Sequence, residues 1–175
     1  KNMSKKGFTL IELLIVIAVI AVLAGAVFVA LDPLTRFRDA RNARRWADVA
    51  AVLSAIRVDQ VDNGGNYITA IGSMTVDQVY MIVDGAAMTT GCDDNNATSC
   101  NPDVTSDTHC VNLAGLKTDG YLGVIPVSPA SAVTWDDGNL AGEEGTGYTL
   151  TRNTNGSVTV SACESEGAAA ITATR

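Results

Sequence analysis

The sequence predicts an α+β protein. One long N-terminal helix, a transmembrane half followed by an amphipathic half with a kink near Pro33, packs on a small antiparallel β-sheet head. Three observations carry that expectation. Phe8 to Leu31 is an apolar run of 24 residues with one ionisable side chain, Glu12. At about 1.5 Å per residue, a helix of that length crosses a bilayer core. Leu34 to about Asp62 places Trp46, Val49, Leu53 and Ile56 at 3-4-3 spacing, one helix face suited to packing on a sheet. Towards the C-terminus the period shortens to two: Gly147–Thr151 and Ser157–Ser161 alternate about Asn153-Thr154-Asn155-Gly156, which reads as a β-hairpin.

A carboxylate inside hydrocarbon is costly and calls for a partner of opposite charge. The segment Lys5-Lys6-Gly7-Phe8-Thr9-Leu10-Ile11-Glu12 supplies one if the chain is cut between Gly7 and Phe8, because the new α-amino group then lies four residues from Glu12. Met3 offers a start, with the leader Met3-Ser4-Lys5-Lys6-Gly7. An ordinary secretory signal fits less well, since no small-residue cleavage site follows a short apolar region.

These residues resemble the N-terminal signature of bacterial type IV prepilins, with the basic leader, the Gly7-Phe8 junction and Glu12 all in place. The resemblance runs over residues 4 to about 62. It implies that a membrane prepilin peptidase cleaves after Gly7, that Phe8 becomes the methylated N-terminus, and that Glu12 neutralises the N-terminus of a neighbouring subunit. The division it implies is a leader over 1–7, a transmembrane and filament-core helix over 8–31, the amphipathic half over 32–63 and an extracytoplasmic head over 64–175. The implied partners are further copies of the chain in a helical filament, other minor pilins, the peptidase, the inner-membrane assembly platform and, before assembly, membrane lipid. The precursor is expected in the inner membrane, single-pass with a cytoplasmic N-terminus, and the assembled subunit in an extracellular pilus. Ala18, Ala21 and Gly25 share one helix face and allow close helix–helix approach.

Charge is uneven along the chain. Residues 46–175 carry four Lys or Arg against sixteen Asp or Glu, whereas residues 32–45 carry five Arg against Asp32 and Asp39. So acidic a head lacks the footprint of a nucleic-acid binder. Lys5 and Lys6 favour a cytoplasmic N-terminus. The arginines after the apolar run compete with that, and the leader signature decides it.

Arg38, Arg41 and Arg45 with Asp48 form a second face of the amphipathic half. They read either as a solvated face or as a basic collar that touches lipid phosphates before assembly and acidic neighbouring heads afterwards.

The four cysteines, Cys92, Cys100, Cys110 and Cys163, read as disulfides in an exported head and admit three pairings. Cys92–Cys100, closing a short polar loop, and Cys110–Cys163, tying back the C-terminal strand, are favoured. Zinc is disfavoured because no C-x₂-C pair is present.

At Asp32-Pro33 the helix is expected to kink or restart, with Asp32 as N-cap. Asn63-Gly64-Gly65-Asn66 ends it. Gln78–Asp84 reads as a strand, with a helix from Thr75 as the competing reading, and residues 110–122 read as a short helix and turn. Tyr121–Pro129 resembles the YL..IP.DP segment of many pilins and pseudopilins, with Ser128 where an aspartate is usual. Glu164–Arg175 reads as a loosely held tail.

No catalytic constellation stands out, and the chain is expected not to be an enzyme. His109 reads as a surface histidine beside Cys110. No cofactor is expected. The calcium alternative rests on two acidic groups. Asp93, Asp94, Asn95, Asp103 and Asp107 lack the EF-hand pattern, with Ala97 at a ligand position; Asp136, Asp137, Glu143 and Glu144 form the other. Asn96-Ala97-Thr98 and Asn155-Gly156-Ser157 are glycosylation sequons. The function that the resemblance implies is a structural subunit of a type IV pilus, for adhesion, surface attachment or motility. A pseudopilin of a type II secretion system is the alternative. DNA uptake would want more exposed basic groups than Lys117, Arg152 and Arg175, and electron conduction more aromatics than 5%.

Overall fold

The computed structural model describes residues 7–85, 89–92, 100–129, 135, 145–167 and 170–175. Its chain contacts divide into two compact units, residues up to Arg38 and Asp39–Arg175. Helix α1 spans Leu10–Leu31 and none of its residues is buried. Helix α2 spans Pro33–Asp62.

The interruption between them has a local cause. Proline has no N–H to donate and crowds the residue before it out of the α region. Asp32 leaves the α region, taking a left-handed conformation, φ 36° and ψ 71°, in place of the extended one usual before proline. Pro33 then opens α2 from the position helices tolerate best. The Asp32 carboxylate holds the Thr35 hydroxyl at 2.6 Å, in place of the backbone amide that an N-cap would take.

In the second unit, the five-stranded sheet has the order β2-β1-β3-β4-β5. Strand β1 is Val79–Val83, β2 Cys110–Asn112, β3 Tyr148–Arg152, β4 Val158–Ala162 and β5 Thr172–Thr174. Short helices α3, Thr69–Gly72, and α4, Ala114–Thr118, complete it. The expected hairpin is β3–β4, paired from Tyr148↔Ala162 to Arg152↔Val158. The strand reading of Gln78–Asp84 holds as β1, and the competing helix does not form.

Three expectations about the elements and their packing need correction. Residues 110–112 form a strand, parallel to β1 with Met81 opposite Cys110, so the sheet is not wholly antiparallel. Three residues are too few for periodicity to reveal a strand. The C-terminal segment is not loosely held: β5 pairs with β4, Ile171 is buried, and Thr159–Thr174 and Ser161–Thr172 hydroxyl pairs at 2.8 Å brace the pairing. Small polar residues suit this pleated edge as well as they suit a tail, which hid the strand.

The third correction is Trp46. It is 46% exposed, and the buried face of α2 is Val49, Val52, Leu53, Ala55 and Ile56. That face meets Ile82, Tyr148, Leu150, Val158 and Val160 on one side of the sheet. Burying each large aliphatic side chain contributes roughly 1.5–3 kcal/mol. Met81, Val83, Val104, Trp135 and the cystines form a second core cluster. There Gly147 is obligatory: its φ is 77°, and a Cβ would stand 2.7 Å from the Trp135 ring.

The disulfides are Cys92–Cys110 and Cys100–Cys163, not the favoured pairing. Strand β2 carries Cys110 to the edge beside β1, where Cys92 reaches it. Cys163, at the end of β4, receives the distant Cys100. Closing 63 residues stabilises by roughly 4 kcal/mol in the chain-entropy account and closing 18 by roughly 3. A Cys110→Ser variant should therefore keep its Cys100–Cys163 crosslink in a non-reduced peptide map; a Cys100-containing peptide lacking Cys163 would refute the pairing.

Candidate functional site at the N-terminal helix

Gly7 and Phe8 precede α1 in irregular backbone, and Phe8 is 87% exposed. The segment is open in the structure, and a Cβ added at Gly7 meets nothing within 4 Å.

Thr9 is the N-cap of α1. Its hydroxyl accepts from the Glu12 amide at 3.2 Å, and Glu12 Oε2 accepts from the Thr9 amide at 2.9 Å and the Thr9 hydroxyl at 2.7 Å. This is a complete capping box. A carboxylate in the first turn also sits well with the positive end of the helix dipole. Within one subunit, then, Oε2 is satisfied locally, while Oε1 makes no hydrogen bond among the described residues and is open to a cation from outside. Thr9 is marked in the sequence only by the Thr-x-x-Glu spacing that signals a capping box.

Along α1, Leu14, Ile15, Ala18, Val19, Val22 and Leu23 line a shallow apolar groove of about 380 Å³. Ala18, Ala21 and Gly25 are all exposed, and a Cβ at Gly25 also meets nothing within 4 Å. The segment reaches a mean hydropathy of 3.2 over 18 residues with nothing buried, long and apolar enough to cross a membrane.

Residues 2–28 match the prokaryotic N-terminal methylation motif. The chain carries the class III prepilin signature. That signature belongs to type IV pilins and pseudopilins, supports that family for this chain and points to structural, non-enzymatic proteins that assemble with pilin-type subunits. With the apolar helix, it fits a membrane-anchored precursor. No curated protein and no solved structure matches.

In the second unit, the arginines expected to form a basic collar are largely spent within the head. Arg45 is 0% exposed. Its Nε donates to Ser128 Oγ at 3.0 Å, Nη1 to Asn42 Oδ1 at 3.0 Å and Glu166 Oε1 at 2.9 Å, and Nη2 to the Pro129 carbonyl at 2.9 Å. Glu164 Oε2 lies 3.5 Å from Nη2 and also accepts from the Trp135 indole at 3.0 Å. Arg41 grips both Glu166 oxygens, with Nε to Oε1 at 2.6 Å. Asn42 Nδ2 donates to the Glu166 carbonyl at 2.6 Å, and Asn42 Oδ1 accepts its amide at 3.1 Å. Asp48 accepts from the buried Tyr148 hydroxyl at 2.7 Å, and burial, reinforced by that carboxylate, pushes the hydroxyl's pKa far up. Arg38 remains exposed. The glutamates that claim Arg41 and Arg45 stand about 120 residues away, so no helix-face pattern announced them.

Other singled-out residues fall outside any site. His109 is half-buried and stacked on Tyr80, centroids 4.5 Å apart, rather than a plain surface residue, and Cys110 is oxidised. Asp107 holds the Gly91 amide. The Asn155 side chain caps the hairpin turn by accepting from Ser157. Asp93, Asp94, Asn95, Asp136, Asp137, Glu143, Glu144 and the Asn96 sequon lie outside the described residues.

Arg45→Ala should destabilise the head by roughly 3–5 kcal/mol in chemical denaturation, because it removes a fully buried charge together with its ion pair to the buried Glu164 and its hydrogen bonds to Ser128, Asn42, Pro129 and Glu166. The Arg41 hydrogen bonds, with Arg45 adding to them, pull the Glu166 carboxyl down to about 2. Its folded pKa lies below its unfolded value, so this contribution is whole above the ordinary carboxylate range near pH 4.5 and is lost as pH falls towards 2. Glu166→Gln should flatten the stability profile in that window. An unchanged acid limb would show that the pair does not govern it.

Proposed function

We propose that the chain is the structural subunit of a type IV pilus filament, used for adhesion, surface attachment or motility. It is stored in the inner membrane with a cytoplasmic N-terminus, processed after Gly7, methylated on Phe8 and polymerised through α1 with other copies and minor pilins. The observation that carries this reading is the union, in one helix, of a fully unburied apolar surface and a first-turn glutamate behind an open Gly7-Phe8 junction. Lipid tails are as apolar as the helix, so association is driven by close packing and by polar pairing, not by escape from water. Glu12 Oε1 and a neighbour's Phe8 amine then set the axial stagger, since two opposite charges in hydrocarbon are tolerable only together. The two disulfides and the acidic head suit a surface exposed outside the cell, which favours a pilus over the piston of a type II secretion pseudopilin.

Three variants separate charge pairing from helix capping. Glu12→Gln keeps an acceptor for Thr9 but loses the charge. Thr9→Ala loses the cap, for about 1 kcal/mol at the helix start, and keeps the charge. Glu12→Val loses both. In sheared extracellular fractions, Glu12→Gln and Glu12→Val should both be depleted, while Thr9→Ala assembles. Normal filaments from Glu12→Gln would remove the pairing argument. Gly7→Leu should accumulate uncleaved precursor, and a mature product from it would contradict the junction. Wild-type protein that is processed yet confined to the envelope would favour the secretion pseudopilin.

A further inference from the structure

Asp59 sits in the last turn of α2 and is 0% exposed, whereas Asp62 in the same turn is exposed. Its Oδ1 accepts from Asn63 Nδ2 at 2.8 Å, while Oδ2 is shut off from solvent and completes no hydrogen bond of ordinary geometry among the described residues. A buried carboxylate is ordinarily paired with a cation or neutralised by a proton.

Among the described residues, no cation answers it. Arg57, two residues earlier on α2, reaches Gln60 Oε1 at 3.5 Å. Lys117 on α4 is held by both Asp84 oxygens, at 2.6 and 2.7 Å. Arg152 on β3 donates to the Gly72 and Met74 carbonyls. The charged groups that bear on Asp59 are Asp119, just after α4, and Asp62 on its own helix, and both are negative. Tyr121 gives its hydroxyl to Asp62 instead. The unpaired carbonyls of the helix C-terminus add to the negative potential. Burial raises the Asp59 pKa, and Asp119 and Asp62 add to the rise against the pull of the Ile68 and Asn63 amides.

The segment over Asp59 is arranged to respond to its charge. The Asn63 amide and side chain donate to the Asp59 carbonyl at 2.9 and 3.0 Å, and the Ile68 amide acts on the carboxyl from the other end of the segment. Between them Gly64 and Gly65 take φ of 65° and 93°, so the chain turns where glycine bends freely. An open cleft of about 540 Å³, bordered by Asp59, Asn63, Asn66, Ile68 and Asp119, brings water to the segment's edge. Because Oδ2 is closed to solvent, hydrating a charge there requires the segment to move.

We propose that Asp59 is a proton-operated pin at the end of α2: neutral, it lets residues 63–68 close over the helix end, and ionised, it draws water in from the cleft and loosens that segment. The device lies in the head and is independent of how α1 assembles. Its sign is opposite to that of Glu166. Between the ordinary carboxylate value and the raised one, the folded head keeps a proton that the unfolded chain has released. Stability therefore falls as pH rises through that window, by up to about tenfold in the folding constant per pH unit, and levels off above it.

The test uses the full chain in detergent, with chemical denaturation and amide hydrogen exchange followed upward from about pH 4, the ordinary aspartate value. The reference is Asp59→Asn, which keeps an acceptor for Asn63 and cannot ionise. The ratio of wild-type to variant folding constants should fall with rising pH and then level off. In wild type alone, protection of the Ile68 amide should drop over the same range while that of Val160, in the middle of β4, holds; this arm does not depend on the variant folding. Wild-type and Asp59→Asn profiles that run parallel overturn the proposal, since Asp59 then keeps no extra proton. Ile68 protection that is constant across the range, or that drops only together with Val160, overturns it by removing the local opening.

Discussion

The apolar surface of α1 sets the terms for the molecule. Twenty-two helical residues bury nothing within the chain, and each exposed methylene in water forgoes about 0.8 kcal/mol. A helix of this kind persists only in lipid or against other helices. Its one carboxylate obeys the same constraint. Thr9 satisfies one oxygen of Glu12; in the proposed filament, the other would meet a neighbour's amine.

The second unit solves a different problem, holding a helix on a sheet while carrying an excess of acid. Arg45 and Arg41 reach from α2 into the C-terminal segment and convert Glu164 and Glu166 from surface charge into internal ties. Breaking one member of such a network leaves the others buried and uncompensated, so it specifies the docking of that segment.

What was legible in the sequence followed local periodicity. The apolar run, the break at Asp32-Pro33, the β3–β4 hairpin and the α2 face through Val49, Leu53 and Ile56 all repeat at fixed spacing, and each appears in the fold. Gly7, Phe8 and Glu12 were legible as a motif. The rest depended on long-range partners. Arg45 looked solvated because its carboxylates lie beyond residue 160. Strands β2 and β5 are three residues each and gain their definition from neighbours in the sheet. The cysteine pairing depended on where β2 sets Cys110, which no spacing encodes. Asp59 stood inside an amphipathic helix with nothing to mark it as buried.

The most direct test of the account is the intact mass of the chain made alongside an active prepilin peptidase and assembly machinery, taken from sheared extracellular material. The account predicts a chain beginning at N-methylated Phe8. A chain retaining Lys5-Lys6-Gly7 beside the active peptidase would contradict it.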